Sequence, residues 1–446
     1  MEFSLHLCEG KTGDTDFPEM YGFHADAPSI LCAPAPAGSF FSLLLLMESA
    51  TLKSQFLLSP DIIYLNFGSF GACSRPVFDD YQRWQRELEF EPVQFITVNG
   101  PRYLQQSREA LAGFVHCPAD DMVYVMNPSY GVNIVAKSLP LNPGDEILST
   151  DIEYGACDRT WNYYCKKKGA KYVRQHISLP IVSKEKLVED FFSGLSSRTK
   201  AVFLSHITSS TALILPVKEI CAIAKQKGLL TIVDGAHAPG HIPLDISDLH
   251  ADIYVGACHK WMMTPKGCSF LYATKNCQDW LDPLLISWGY DSAHPSHSRF
   301  LDYHQGQGTR DFSAFLTVPR AIQFMKDNHW DVISAGCREI VQKNAGRFCE
   351  LLGSSPLCPV GDEFLGQMFS IPVRSSQPDA LKQYLFDAYK IEVPVMTQEG
   401  DVYIRYSINA FNSQGDLDAL YVALKDILAN TDLLQAKTNA GSALAY

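Results

Sequence analysis

The feature that most constrains the fold of this chain is a series of short apolar runs that alternate with helical stretches from about residue 120 onward. The pattern predicts a helix from Val217 to Gln226 that Gly228 closes. Strands separated by helices of about ten residues or more are typical of a mostly parallel sheet covered on both faces. The sequence therefore predicts an α/β fold. The apolar runs span residues 122–126, 146–150, 172–173, 201–205 and 229–233.

The pattern changes after about residue 318. A long helical stretch (319–352) leads into short apolar runs, and the chain then forms an amphipathic helix (414–429). These elements predict a smaller α+β domain. On this basis we divide the chain into a poorly ordered N-terminal extension (1–58), a large α/β domain (59–318), the small α+β domain (319–430) and a tail (431–446).

Composition restricts the partners of the chain. With 446 residues, 46% of them hydrophobic, and a formal net charge of -12, it is typical of a soluble globular enzyme. Nucleic acids and anionic membranes select basic surfaces, so we expect neither as a partner. The apolar run 40–47 is far shorter than the roughly 20 residues that span a bilayer. The sequence therefore favours a small-molecule substrate.

The 13 cysteines are scattered through the chain, and no two form a Cys-x-x-Cys pair. Reduced thiols in a cytoplasmic protein are therefore expected, and no spacing supports a zinc site. His294, His297 and His304 are of metal-ligand type, but the proline and serine between the first two indicate a loop without fixed geometry. We therefore predict no metal site.

Two polar residues stand where neighbouring apolar runs end. Asp234 directly follows the run 229–233, and Lys260 comes shortly after the run 252–255. In parallel sheets, ligands bind beyond the carboxyl ends of the strands. A lysine that forms a Schiff base and a carboxylate that keeps the pyridine nitrogen protonated are the groups that pyridoxal phosphate chemistry requires. Asp234 alone is also compatible with a capping role, but the pair predicts pyridoxal 5′-phosphate as the cofactor.

Further candidates lie at other strand ends. Ser129 opens a helix directly after a strand, where a phosphate binds well, although an ordinary helix cap has the same pattern. Tyr154 either stacks on the pyridine ring or only packs. His237 is either a core histidine or a hydrogen-bond partner of the ring's phenolic oxygen. His259 has the same ambiguity, and phosphate contact is its functional interpretation.

Several motifs occur in a fixed order and carry a family resemblance. They are YLNFGSFG at 64–71, EYGA at 153–156, ITS at 207–209, DGAH at 234–237, HKW at 259–261 with PKG at 265–267, and GTRDF at 308–312. The set resembles the class V aminotransferase family, and within it the isopenicillin N epimerase-like branch. The resemblance runs from about residue 60 to 430, and it is more specific for cofactor and fold than for substrate.

The resemblance implies a fold-type I enzyme that depends on pyridoxal 5′-phosphate and forms a homodimer with active sites at the subunit interface. It makes Lys260 the Schiff-base lysine, Asp234 the partner of the pyridine nitrogen and Arg405 the group that holds the substrate carboxylate. Thr309 would reach the phosphate in the neighbouring subunit, and Asn66 would contact substrate. The remaining cofactor-binding residues that it implies are Ser129, Tyr130, Tyr154, Ser209, His237 and His259.

Two departures from the family pattern narrow the activity. Relatives often carry a serine where Ala257 stands, so one phosphate hydroxyl is missing. The desulfurase branch has a catalytic cysteine shortly before the carboxylate-binding arginine, and the segment 393–400 contains none. A cysteine desulfurase-like activity is therefore disfavoured.

We expect the amine of Lys260 to remove the α-proton of an amino acid. Return of a proton to the opposite face gives epimerisation and needs a second donor, for which Tyr154 is a candidate. Loss of a β-substituent gives elimination or carbon–sulfur lyase activity, and return of the proton to the cofactor gives transamination. The resemblance favours an epimerase-like or lyase enzyme, and a cofactor-binding scaffold without activity is the non-enzymatic alternative.

Overall fold

The strands of the chain form sheets that place polar residues at strand ends. The structure is a computed structural model and describes residues 52–435. In chain order, the strands are β1 (Ile63–Tyr64), β2 (Met122–Val125), β3 (Glu146–Thr150), β4 (Lys171–Gln175), β5 (Thr199–Ser205), β6 (Leu230–Gly235), β7 (Ile253–Ala257), β8 (Ser269–Ala273), β9 (Met368–Val373), β10 (Ile391–Glu392), β11 (Val395–Gln398) and β12 (Asp401–Ser407).

The helices cover the sheets and connect their strands. They are α1 (Phe67–Phe70), α2 (Arg75–Phe90), α3 (Gly100–Val115), α4 (Pro128–Ser138), α5 (Gly155–Lys168), α6 (Lys184–Ser193), α7 (Val217–Gln226), α8 (Ile246–Leu249), α9 (Lys275–Gln278), α10 (Arg299–Gln305), α11 (Ser313–Leu316), α12 (Val318–Asp327), α13 (Trp330–Leu351), α14 (Pro378–Tyr389) and α15 (Gln414–Asn430). A π-helical turn (Gln94–Asn99) precedes α3, and a 3-10 turn (Ala119–Asp121) precedes β2.

The central sheet has seven strands in the order β2-β8-β7-β6-β5-β3-β4. All neighbours pair in parallel except β8, which is antiparallel to both β2 and β7. Strands such as β2 and β7 are buried along their whole length, as expected where helices cover both faces. The predicted α/β class with a mostly parallel sheet is confirmed. The sequence interpretation did not include β8, whose place between β7 and β2 depends on pairing with the distant strand β2.

Local sequence signals set the bounds of several helices. The Asn127 side chain accepts a hydrogen bond from the Tyr130 amide and so caps α4, with Pro128 at its first position. Helix α7 has the predicted bounds, and Gly228 follows it with a φ of 71°. That left-handed conformation favours glycine, so this residue directs the chain from α7 into β6.

The helical stretch predicted over 319–352 consists of two helices, α12 and α13, which a short turn separates. The chain leaves α12 at Asn328, and His329 has a φ of 48° in the left-handed region before α13 begins. Both helices bury apolar residues, and the four residues between Met325 and Trp330 are polar and not buried. This polar run includes no glycine or proline, so the sequence pattern did not reveal the turn of two residues.

The C-terminal part of the chain contains a second, antiparallel sheet in the order β11-β12-β9. Leu417, Leu420 and Leu424 on α15 are fully buried, as the amphipathic pattern predicted. Strand β10 pairs in parallel with β1 instead of joining this sheet. Pairing of β12 with β9 places Arg405 opposite Ser370 in the buried centre of the sheet.

Part of the predicted organisation lies outside the described residues. This holds for residues 1–51 of the predicted N-terminal extension and for residues 436–446 of the predicted tail. Within residues 52–435, no helix is both long and apolar enough to cross a lipid bilayer.

Candidate active site

A cavity of about 450 Å³ lies beyond the carboxyl ends of the parallel strands. Its volume is within the range of small-molecule sites. Seven of the predicted site residues line it together, although they are far apart in sequence. They are Ser129, Tyr154, Ser209, Asp234, His237, His259 and Lys260.

Asp234 lies near the end of β6, beside Ser205 of β5 and Val255 of β7, and is buried. Its Oδ1 accepts a hydrogen bond from the Ala236 amide at 3.0 Å. Burial raises the pKa of this carboxyl, while the Ala236 amide and the nearby Lys260 oppose that shift. The site therefore holds a carboxylate that is poorly solvated and strongly disposed to bind a cationic group.

Lys260 follows β7 and faces the same cavity. Its Nζ lies 3.2 Å from Nε2 of His237. Burial lowers the pKa of the amine from 10.5 to about 8, and Asp234 partly opposes this shift. Burial also lowers the pKa of His237 well below 6.5, and the charge of Lys260 acts in the same direction. The lysine can therefore act as a nucleophile or base near neutral pH.

Ser129, at the N-terminal end of α4, and His259 line the cavity. Nδ1 of His259 faces the carbonyl oxygen of Cys268 at 3.0 Å, so Nδ1 carries the ring proton. Burial lowers the pKa of His259 to about 4. Its other nitrogen is therefore unprotonated in the free chain, and a contact with a phosphate oxygen requires uptake of a proton there. Lys266 and Gly267 also line the cavity.

Arg405 does not line the cavity, but it contacts two residues that do. Its Nη1 donates to the carbonyl oxygen of Ser209 at 2.6 Å, and its Nη2 donates to Oγ of Ser69 at 3.0 Å. Its buried Nε has no partner among the described residues. Burial lowers the pKa of the guanidinium to about 10, so it remains charged at neutral pH.

Besides Arg405, three further predicted residues do not line the cavity. The Tyr130 hydroxyl donates to Oε1 of Gln307 at 3.4 Å, and the side-chain amide of Asn66 donates to Oε1 of Glu392 at 2.9 Å. Thr309 is exposed and stands on the loop that follows α10. Their predicted roles stay predictions.

Two buried residues beside the cavity were missed by the sequence interpretation. The Cys157 thiol donates to Oδ2 of Asp234 at 3.3 Å, and this contact depends on how α5 packs against β6. Glu153 accepts from the Ser205 hydroxyl at 2.6 Å and from Thr150 at 2.7 Å, which ties the end of β3 to β5. Burial raises the pKa of Glu153 to about 8. No local sequence signal indicates either contact.

The cavity fits pyridoxal 5′-phosphate in its donor chemistry. It combines a buried carboxylate, a lysine of lowered pKa and a helix N-terminus with a hydroxyl, which match the pyridine nitrogen, the aldehyde and the phosphate of that group. Fold and site thus define a fold-type I enzyme that depends on pyridoxal 5′-phosphate.

Comparisons with known proteins support this class of enzyme. The family model for aminotransferase class V matches residues 99–420. Isopenicillin N epimerase of Amycolatopsis lactamdurans is 32% identical over 392 residues, which cover 85% of this chain and 98% of that protein. A probable chloroplastic L-cysteine desulfhydrase of Arabidopsis thaliana is 25% identical over 422 residues, which cover 86% of each chain. The chain belongs to the aminotransferase class V family.

A solved structure supports the fold independently. It is a C-DES mutant with glycine covalently linked to the PLP cofactor, and it matches with a TM-score of 0.72 at 21% identity, covering 84% of this chain and 99% of that one. The predicted family, fold class and cofactor are confirmed.

The lowered pKa of Lys260 predicts how the free protein captures its cofactor. Only the neutral amine attacks an aldehyde, so the capture rate should rise with pH and level off above about 8. An unshifted lysine would give a rate that keeps rising about tenfold per pH unit up to its ordinary pKa near 10.5. Stopped-flow mixing of cofactor-free protein with pyridoxal 5′-phosphate between pH 6 and 10 measures this, and a midpoint above about 9.5 would contradict the assignment.

Proposed function

We propose that this enzyme removes the α-proton of an amino acid and then epimerises it or eliminates a β-substituent. The observation that carries the proposal is the position of Lys260, which lines the cavity together with Asp234 and has its Nζ 3.2 Å from Nε2 of His237. Burial also lowers the pKa of its amine to about 8. When bound, the cofactor's protonated ring withdraws electrons from the substrate's α-carbon. Family membership and the similarity to an epimerase and a desulfhydrase support both outcomes.

The residues of this chain divide the proposed work by their positions. Asp234 supplies the negative charge that keeps a ring nitrogen protonated, and Lys260 accepts the α-proton. Arg405 holds the substrate carboxylate, because its Nη atoms contact Ser209 and Ser69 and its Nε has no hydrogen-bond partner among residues 52–435. Tyr154, Ser129, Tyr130, Ser209, His237, His259 and Asn66 keep the cofactor- and substrate-binding roles implied by the family.

The two outcomes differ in how many proton-transfer groups they need. Elimination needs only Lys260, whereas epimerisation needs a second group to protonate the opposite face. Tyr154 lines the cavity and is 44% exposed, so its hydroxyl can exchange protons with solvent. Similarity to an epimerase over most of the chain makes epimerisation our first candidate. Carbon–sulfur elimination is the second, because Lys260 is the one base that this reaction needs.

A substrate screen tests this proposal. Amino acids, including cysteine and sulfoxide derivatives, are added to the loaded enzyme, and the cofactor's visible spectrum is followed. Pyruvate, sulfide and inverted configuration are then assayed for every compound that shifts the spectrum. An inverted product supports epimerisation, pyruvate supports elimination, and a keto acid with an aminated cofactor would overturn both in favour of transamination.

The Arg405→Lys variant tests the assigned carboxylate contact in the same screen. It keeps the positive charge but loses the bidentate grip, so the concentration needed for the spectral shift should rise about 10- to 100-fold. An unchanged concentration would show that the carboxylate binds elsewhere. If the wild-type protein shows no spectral shift with any amino acid, the result would favour the cofactor-binding scaffold without activity.

We further propose a homodimer in which Thr309 reaches the partner's cofactor phosphate. The support is an exposed apolar segment beside the Thr309 loop: Leu285, Ile286 and Trp288 are 52%, 59% and 88% exposed. The amide of Gly289 donates to the carbonyl oxygen of Gly306, which joins the two loops. An apolar surface of this kind is typical of subunit interfaces.

Two further assignments extend the proposal. A large domain (59–318) and a small domain (319–430) correspond to the two main sheets, which supports the division made from the sequence. A cytoplasmic location is supported by the cysteines, since the 11 that the structure describes are all free.

A further inference from the structure

Three buried aromatic side chains form a cluster behind Lys260. The cluster consists of His237, His241 and Trp261, which are 4%, 1% and 1% exposed. Its members come from the segment after β6 and from the residue directly after Lys260. Their hydrogen bonds determine where the ring protons lie.

The proton position on His241 follows from the backbone. The backbone amide of Gln367 donates to Nε2 of His241 at 2.6 Å, so this nitrogen carries a lone pair. The proton therefore lies on Nδ1, which faces the carbonyl oxygen of His237 at 2.9 Å. Both nitrogens are used, and burial lowers the pKa of His241 to about 3, so the ring stays neutral.

His241 in turn holds the indole ring of Trp261. The two rings stack with centroids 3.8 Å apart and an interplanar angle of 17°. Gly366 lies against His241, and a Cβ there would come within 2.4 Å of Nε2, so only glycine permits this approach. Phe67 contacts the indole as well, at a centroid distance of 5.0 Å. The position of the indole ring is thus fixed by its packing against His241 and Phe67.

The indole then determines the proton position on His237. Nε1 of Trp261 is a donor only, and it lies 3.4 Å from Nδ1 of His237. Nδ1 must therefore be the acceptor, because a proton on both atoms would leave a buried N–H unpaired. The proton of His237 lies on Nε2, which is 3.2 Å from Nζ of Lys260.

We infer that Trp261 is a positioning residue that fixes the tautomer of His237 and so makes its Nε2 a permanent hydrogen-bond donor toward Lys260 and the cofactor site. The inference builds on the proposed roles of Lys260 and His237. An Nε2–H group donates to the lone pair of a neutral lysine amine, and it cannot accept from an ammonium. The tautomer therefore favours the neutral, reactive form of Lys260, and it presents a donor to an anionic oxygen placed in the cavity.

The Trp261→Phe variant tests this inference, because it keeps an aromatic ring for packing and removes the N–H. Histidine-selective 15N NMR of the cofactor-free protein should show His237 protonated on Nε2 in the wild type and as a mixture of tautomers in the variant. With Nε2 free to accept, the ammonium form of Lys260 is stabilised. The pH midpoint of cofactor capture should therefore rise by roughly 0.4 to 1 unit.

The Phe67→Leu variant is the matched control, since it disturbs the packing of the same indole but leaves its N–H in place. Its tautomer and capture midpoint should equal those of the wild type. Equal shifts in both variants, or no shift in Trp261→Phe, would overturn the inference. A wild-type spectrum with the proton on Nδ1 would overturn it even if the variant failed to fold. Neither readout involves turnover, so failure of the proposed reaction is distinguishable from failure of this inference.

Discussion

Replacement of Lys260 by alanine should lower turnover by at least about 10³-fold and should leave the cofactor bound without its covalent link to the protein. Nζ of Lys260 lies 3.2 Å from Nε2 of His237, and burial lowers the pKa of this amine to about 8 while the charge of Asp234 opposes the shift. The variant loses both the nucleophile and the base in one step. Steady-state assays and the visible spectrum measure the two losses separately.

The Lys260→Arg variant is the control for charge in this experiment. A guanidinium keeps the positive charge near Asp234 but cannot form the covalent link or accept a proton at neutral pH. Its turnover should therefore be as low as that of the alanine variant. Turnover within about tenfold of the wild type in either variant would refute the role of Lys260.

Replacement of Asp234 by asparagine should lower turnover by roughly 10²- to 10³-fold while the covalent link to Lys260 persists. The asparagine oxygen can still accept from the Ala236 amide, so the local backbone is kept. The negative charge that holds a ring nitrogen protonated is lost, and the electron-withdrawing power of the ring falls with it. The rate of α-proton exchange with deuterated solvent measures this step directly.

The Cys157→Ala variant provides the comparison for Asp234. It removes the thiol that donates to Oδ2 of the same carboxylate but leaves the charge, so its effect should be much smaller than that of Asp234→Asn. Equal effects would show that hydrogen bonding around the carboxylate matters more than its charge. A wild-type exchange rate in Asp234→Asn would contradict the assigned role.

Much of the fold and part of the site could be predicted because their signals are local. Helix α7 ends where Gly228 permits a left-handed turn, and Asp234 and Lys260 could be placed at one edge of the sheet from apolar runs alone. The break between α12 and α13 could not, because only four polar residues (326–329) separate the two apolar patterns, and they include no glycine or proline to mark a helix end. Strand β8 was also missed, and its place between β7 and β2 depends on pairing with β2, which lies far earlier in the chain.

The sequence by itself determined the family, the α/β class and the two residues on which cofactor chemistry depends, because periodicity and strand-end motifs are properties of short segments. Only the tertiary structure decided the chemical state of those residues. Cys157 meets Asp234, Arg405 meets Ser69 and Trp261 meets His237 through packing between distant segments. Burial and hydrogen-bond partners set pKa values and proton positions, and both arise only when the whole chain has folded.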